Sequence, residues 1–380
     1  MKREEILNEL QSIARDPFPY LREKKASGRR IIGSPLADVP PEIIYAAGAL
    51  PVTILGTNQP IVKASAHLPD NACSLARSNL ELVLNYHPGD FDGFVFPQVC
   101  DTTQHLSDIW KMTIPSEFFA SFLIPRQVDR KSARHWFYAE TRRLKEQLET
   151  FAGTAIQETT LRESFRLYNE NRRLLREIYR VKREKPGEIS NRQLFDLIRS
   201  FCFMDPRDHI PRVRELLNEL KTTATGDEPF KRVVLSGIVV EPAELFDILD
   251  ELKVSVVADD LIVGSRMIGY DVSVNDDPLM ALTERHFSKS PFSPIRDVGT
   301  RLYDHLLGLV EDTAADGVVF FHIKFCESQD YDLPDLKNLM RQRKVPMIVL
   351  ETEYQTAARA QTKTRLESFI ESLYGEQIHG

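Results

Sequence analysis

The sequence predicts an α/β protein in which two Rossmann-like parallel-sheet lobes are joined by a helical segment. Three observations lead there. Strand and helix signals alternate over the first 128 residues, a helix-rich stretch with little strand signal runs from 129 to 228, and the first pattern returns after 229. The expected domains are therefore 1–128 (an α/β lobe with a leading helix), 129–228 (helical) and 229–380 (a second α/β lobe).

Residues 2–24 carry Ile6, Leu7, Leu10, Ile13 and Ala14 at helical spacing, and Pro17 and Pro19 are expected to end that helix. Arg29–Gly33 reads as a short strand. Pro40-Pro41-Glu42 opens a helix, with proline in its first turn and an acid near its positive end. Pro51–Gly56 and residues 93–97 supply two further strands. Residues 131–151 and 157–185 are long charged helices, broken at Pro186-Gly187. A shorter apolar helix spans Asn191–Phe203, and Asp205-Pro206 starts the next turn.

After the helices the opening motif is repeated. Lys231–Ser236 echoes Arg29–Ser34 at an offset of 202, which also pairs Pro40 with Pro242, Glu42 with Glu244 and Val52 with Val254. Asp92–Phe96 ahead of Cys100 echoes Asp316–Phe320 ahead of Cys326 at an offset of 224, so the second half carries an insertion near 264–310. Two similar lobes would face one cleft beyond the carboxyl ends of their strands, where such folds bind ligands.

Composition narrows the function. The chain has 380 residues, 42% hydrophobic and 28% charged, the profile of a globular protein. It has no apolar run of the roughly 18–20 residues a membrane span needs, and the charged start MKREEILNELQSIARD is unlike a secretory signal. A net charge of -7 argues against nucleic acid as a partner. Four cysteines are too few for a disulfide framework, so a reducing, cytoplasmic location is expected.

Each cysteine then needs its own account. Cys202 lies on an apolar helical face and reads as a small buried hydrophobe. Cys73, Cys100 and Cys326 lie at strand-to-helix crossings, where an α/β fold places ligands. Their spacing leaves a shared metal site, a nucleophilic cysteine and zinc all open. Soft thiolates suit iron–sulfur clusters, and three of them on a four-iron cluster would leave one iron for another ligand.

These residues carry a resemblance. The order Pro40-Pro41-Glu42, Ala46-Ala47-Gly48-Ala49-Leu50-Pro51-Val52, Cys73, Cys100-Asp101 and Lys324-Phe325-Cys326 resembles the 2-hydroxyacyl-CoA dehydratase D-component family. The tail Val345–Glu351 followed by Thr364–Phe369 fits that family's ending, so the likeness spans nearly the whole chain. Within the family it resembles the gamma subunits of ATP-dependent benzoyl-CoA reductases. The resemblance implies an oxygen-sensitive heterotetramer in the cytoplasm, with a [4Fe-4S] cluster held by Cys73, Cys100 and Cys326. It implies a related cluster-binding sister subunit, ATP-hydrolysing electron-activating subunits and reduced ferredoxin as donor. The implied reaction reduces the ring of benzoyl-CoA to a cyclic dienoyl-CoA. Ala37-Asp38-Val39-Pro40 stands where the dehydratases often have an aromatic residue, so no substrate contact is carried over from there.

The chain has no G-x-x-x-x-G-K-[ST] phosphate loop, which fits ATP being consumed on a partner. His322, Lys324, Asp101 and His105 sit near the cysteines, but surface, paired or helix-capping roles are the expectation for them. Nine Lys/Arg between 162 and 185 could draw coenzyme A phosphates, yet interleaved Glu163, Glu170, Glu177 and Glu184 favour a salt-bridged helix. The competing readings are a 2-hydroxyacyl-CoA dehydratase subunit, an electron-relay subunit, and a cluster-free two-lobed small-molecule binding protein.

Overall fold

The computed structural model describes residues 2–36, 38–87, 89–222, 230–289, 291–296, 298–353 and 359–375. The first lobe runs α1 (Lys2–Arg15), α2 (Phe18–Ala26), β1 (Arg30–Pro35), α3 (Pro41–Ala46), β2 (Ala49–Ile54), α4 (Ser74–Glu81), β3 (Gly93–Gln98), α5 (Asp101–Thr113) and β4 (Phe118–Leu123). Four helices follow: α6 (Lys131–Ala152), α7 (Glu158–Glu184), α8 (Asn191–Phe201) and α9 (Pro206–Thr222). The second lobe runs β5 (Lys231–Gly237), α10 (Glu244–Glu251), β6 (Val254–Asp260), α11 (Ser265–Ile268), α12 (Pro278–Ser288), α13 (Arg301–Thr313), β7 (Gly317–Ile323), α14 (Glu327–Gln342), β8 (Met347–Thr352) and α15 (Arg359–Gly375).

Each lobe is built on a four-stranded parallel sheet, ordered β2-β1-β3-β4 in the first and β6-β5-β7-β8 in the second. The orders are equivalent, so the two-lobed α/β architecture and the internal echo read from sequence are both present. Strands covered by helices on both faces are apolar throughout; β6 and β7 are buried at every position. Alternation still sorts their side chains. Val233, Leu235, Val319 and Phe321 face α10 and α15, while Val234, Val318 and Phe320 face α13 and α14. The insertion predicted near 264–310 is α11, α12 and most of α13.

The helical segment shares one continuous apolar core with the first lobe, from Leu10 through Phe94 and Trp110 to Leu175 and Val213. One buried ion pair crosses between them: Glu42 on α3 and Arg172 on α7, 0% and 1% exposed. Outside, Glu163, Glu170 and Glu177 of α7 pair with Arg207, Arg214 and Lys221 of α9. Both helices advance seven residues per rung in the same direction, so they run parallel, with α8 as the return. This ladder is the salt-bridged face expected of residues 162–185.

The structure departs from the sequence reading in two places. Residues 2–24 form two helices, because Pro17 starts α2 and Pro19 lies in its first turn, where a missing N–H leaves no bond unmade. The strands β4 and β8 were not anticipated. The boundary expected at 128/129 falls in the loop between β4 and α6, while 228/229 and Ala37 lie outside the described residues.

Candidate functional site

Each of three cysteines stands immediately before a helix. Cys73 precedes α4, Cys100 links β3 to α5, and Cys326 follows β7 and opens α14. The last two occupy equivalent places in the two lobes. All three line one cavity of about 50 Å3, together with Leu36, Leu75, Val99, Ile238, Phe292 and Ile323. Cys326 is buried, and Cys73 and Cys100 are half-buried. The lobes are joined here: the Ser74 N–H donates to the Lys324 carbonyl at 3.4 Å. The cavity therefore takes two cysteines from the first lobe and one from the second.

A helix start offers unpaired N–H groups and the positive end of the helix dipole, both of which favour a thiolate. Cys73 and Cys326 shift each other's titration in opposite directions. Donation by the Cys326 thiol lowers the Cys73 pKa against its burial, helped by the N–H groups of Ala76 and Leu75. Giving that bond, together with burial, pushes Cys326 well above its usual range. Burial also raises Cys100, opposed by Thr103, whose hydroxyl lies 3.6 Å from the sulfur. Of the pair, Cys73 is the one whose thiol is shifted toward the thiolate.

The backbone is strained at this cavity. Leu36 at the end of β1 and Phe325 at the end of β7 have φ of 67° and 63°, a left-handed conformation that costs a bulky residue about 1–3 kcal/mol and clusters at functional sites. The walls are mostly apolar, and all three cysteines belong to them. That donor set and that dryness fit a thiolate-held iron–sulfur cluster. Among the described residues, no group of three or more His, Cys, Asp or Glu is drawn together to hold a single metal ion.

The other candidates lie apart from the cavity. Cys202 ends α8, with its sulfur 3.8 Å from the Ile198 carbonyl; burial pushes its thiol up to about 12. His322 is buried, its Nε2 2.8 Å from Asp330. Lys324 pairs with Glu353 at 3.3 Å and Asp101 with Arg126 at 2.7 Å, while His105 is exposed. In the basic segment Arg172 pairs with Glu42, Arg176 with Asp271 and Arg180 with Glu177, and Lys182 donates to two carbonyls. Asp38 is buried, 3.7 Å from Lys289.

Sequence reasoning missed the walls. Leu36, Asn79, Ile238, Phe292 and Ser293 come from segments far apart in the chain. For Asn79 a signal existed, since it follows Leu75 and Ala76 at helical spacing after Cys73. A larger cleft of about 610 Å3 takes residues from both lobes, in keeping with the cleft expected between them. It opens beyond the carboxyl end of β2, lined by Val52–Gln59, Arg192, Arg199 and Glu241. The segment starting at Cys73 reaches it at Leu82, just past α4.

Comparison with known proteins places this architecture. Residues 37–373 match the family described as 2-hydroxyglutaryl-CoA dehydratase, D-component. The chain is 32% identical over 373 residues to the beta subunit of lactoyl-CoA dehydratase from Anaerotignum propionicum, covering 97% of this chain and 99% of that one. It is 26% identical over 373 residues to the (R)-phenyllactyl-CoA dehydratase beta subunit of Clostridium sporogenes, with the same coverage. It is also 26% identical over 382 residues to one of the benzoyl-CoA reductase subunits of Thauera aromatica, covering 98% and 99%. With its paired lobes and the family match over most of its length, the chain belongs to the 2-hydroxyglutaryl-CoA dehydratase D-component family.

Proposed function

We propose that this chain is an iron–sulfur subunit of an acyl-CoA dehydratase or reductase complex, with Cys73, Cys100 and Cys326 as ligands of a [4Fe-4S] cluster. The observation that carries the proposal is their convergence, from two lobes, on one apolar cavity. Thiols at the starts of three helices suit a polynuclear cluster, which binds its cysteines at separate corners. A bound cluster would supply a single low-potential electron to an acyl-CoA thioester.

The chain's own contribution is to hold the thiolates with N–H groups at helix starts, to exclude water with Leu75, Val99, Ile238 and Phe292, and to tune the potential through hydrogen bonds to sulfur. ATP hydrolysis would occur on separate activating subunits fed by reduced ferredoxin, and a related sister subunit would complete the complex in the cytoplasm. A 2-hydroxyacyl-CoA comes first as substrate, because the 32% identical relative is a lactoyl-CoA dehydratase subunit. The electron would then be returned once water has left. Benzoyl-CoA is the second reading, favoured by the Thauera relative; there the electrons stay in the ring.

The test is iron and acid-labile sulfide per chain after anaerobic purification and reconstitution. About four of each is expected, with a clear loss in Cys73→Ser, Cys100→Ser and Cys326→Ser. Iron near zero in the unaltered chain, or unchanged in all three variants, refutes the cluster. Turnover of lactoyl-CoA against benzoyl-CoA by the activated complex then decides between the substrates.

A further inference from the structure

We infer that Asn79 is a positioning residue that donates a side-chain hydrogen bond to sulfur in the cysteine cavity and thereby raises the reduction potential of what is bound there. This rests on the cluster reading above. Asn79 lies on α4 and lines the cavity beside Leu75 and Ala76. It is 1% exposed, and its Oδ1 is buried with no hydrogen-bond partner among the described residues.

The neighbouring polar groups of this helix differ from it. The Ser78 hydroxyl donates to the Thr57 carbonyl at 2.6 Å, and Glu81 Oε2 accepts from the N–H groups of Val62 and Ala64. The Ser74 hydroxyl, Arg77 Nε and Glu81 Oε1 also lack a partner, but none of these residues lines the cavity. On the cavity wall, Thr103 already donates to the Cys100 carbonyl and Ser293 to Asp332. Asn79 thus presents an unspent amide to an apolar, thiol-lined space. A half-turn about Cβ–Cγ exchanges its acceptor for two N–H donors. Thiolate and sulfide are acceptors, and they become stronger acceptors as negative charge accumulates on reduction. A donor there stabilises the reduced state more than the oxidised one.

The test uses the full chain, reconstituted anaerobically, as Asn79→Leu and Asn79→Asp. Iron and sulfide are counted, and the midpoint potential is read by a redox titration followed by electron paramagnetic resonance. Iron content should match the unaltered chain. The reduction equilibrium should fall about tenfold in Asn79→Leu, or 59 mV for one electron. It should fall at least as far in Asn79→Asp, which keeps the shape, loses the donor and adds charge; where the leucine variant fails to fold, the aspartate variant decides. Unshifted potentials with full iron overturn this inference and leave the cluster reading standing. An unaltered chain that binds no iron overturns both.

Discussion

Replacing Glu42 by glutamine removes one negative charge from a fully buried group of ions. Glu42 and Arg172 are 0% and 1% exposed, and Arg285 stands close enough to act on both. Burial alone would push the Glu42 carboxyl up; Arg172 and Arg285 outweigh it and hold the carboxyl below its ordinary range. Removing one partner of such a pair costs about 3–5 kcal/mol, because the remaining charge stays buried without compensation. At about 2.1 cal/mol/K per residue, 380 residues melting as one unit have an unfolding entropy of roughly 0.8 kcal/mol/K. The expected fall in Tm is then about 4–6 °C, read by differential scanning calorimetry. Adding Arg172→Met should recover about half of it or more, since apolar replacement of a whole buried pair is often neutral. The sign with pH follows: Glu42's contribution is complete above the ordinary carboxylate pKa and is lost as pH falls through its lowered folded value. A fall of less than about 1 °C in the single variant, or a double variant worse than the single, would show that the pair does not hold α3 to α7 as argued.

Further expectations concern single positions. Gly237 has φ of 142°, and an added Cβ would lie 2.5 Å from the Phe321 carbonyl oxygen; Gly237→Ala should cost about 1–3 kcal/mol in urea unfolding. Burial lowers the Lys182 pKa to about 8 from 10.5. The folded chain therefore sheds this proton before the unfolded one, and stability from this group should rise between pH 8 and 10.5 by up to about 3 kcal/mol. Urea midpoints across that range should climb less steeply in Lys182→Met. On the ladder between α7 and α9, Glu170→Gln should cost less than about 1 kcal/mol, and less again at 1 M salt, because its pair with Arg214 is largely exposed.

Much of the fold was legible because parallel strands are apolar over their whole length, and the runs at Ile31-Ile32 and Val233–Leu235 stand out. Phe118–Leu123 is as apolar as either. Yet a short unbroken run does not distinguish strand from buried helix, and nothing in the sequence showed that it was the edge of a sheet. The cysteines were legible through their place between strand and helix. Their surroundings were not, since Leu36, Asn79, Ile238 and Phe292 meet only when the two lobes close. His322 and Lys324 stand at the end of the right strand but turn to the carboxylates of Asp330 and Glu353, partners that neighbouring sequence cannot announce.

The division of the three cysteines between two lobes also orders events during synthesis. Cys326 emerges 226 residues after Cys100. At about 5–20 residues per second, the first two thiols wait roughly 11–45 s for the third. Throughout that interval the first lobe carries an open half-cavity with two oxidisable sulfurs and no opposite wall. Whatever needs all three thiols must wait until β7 and the start of α14 in the second lobe have been made.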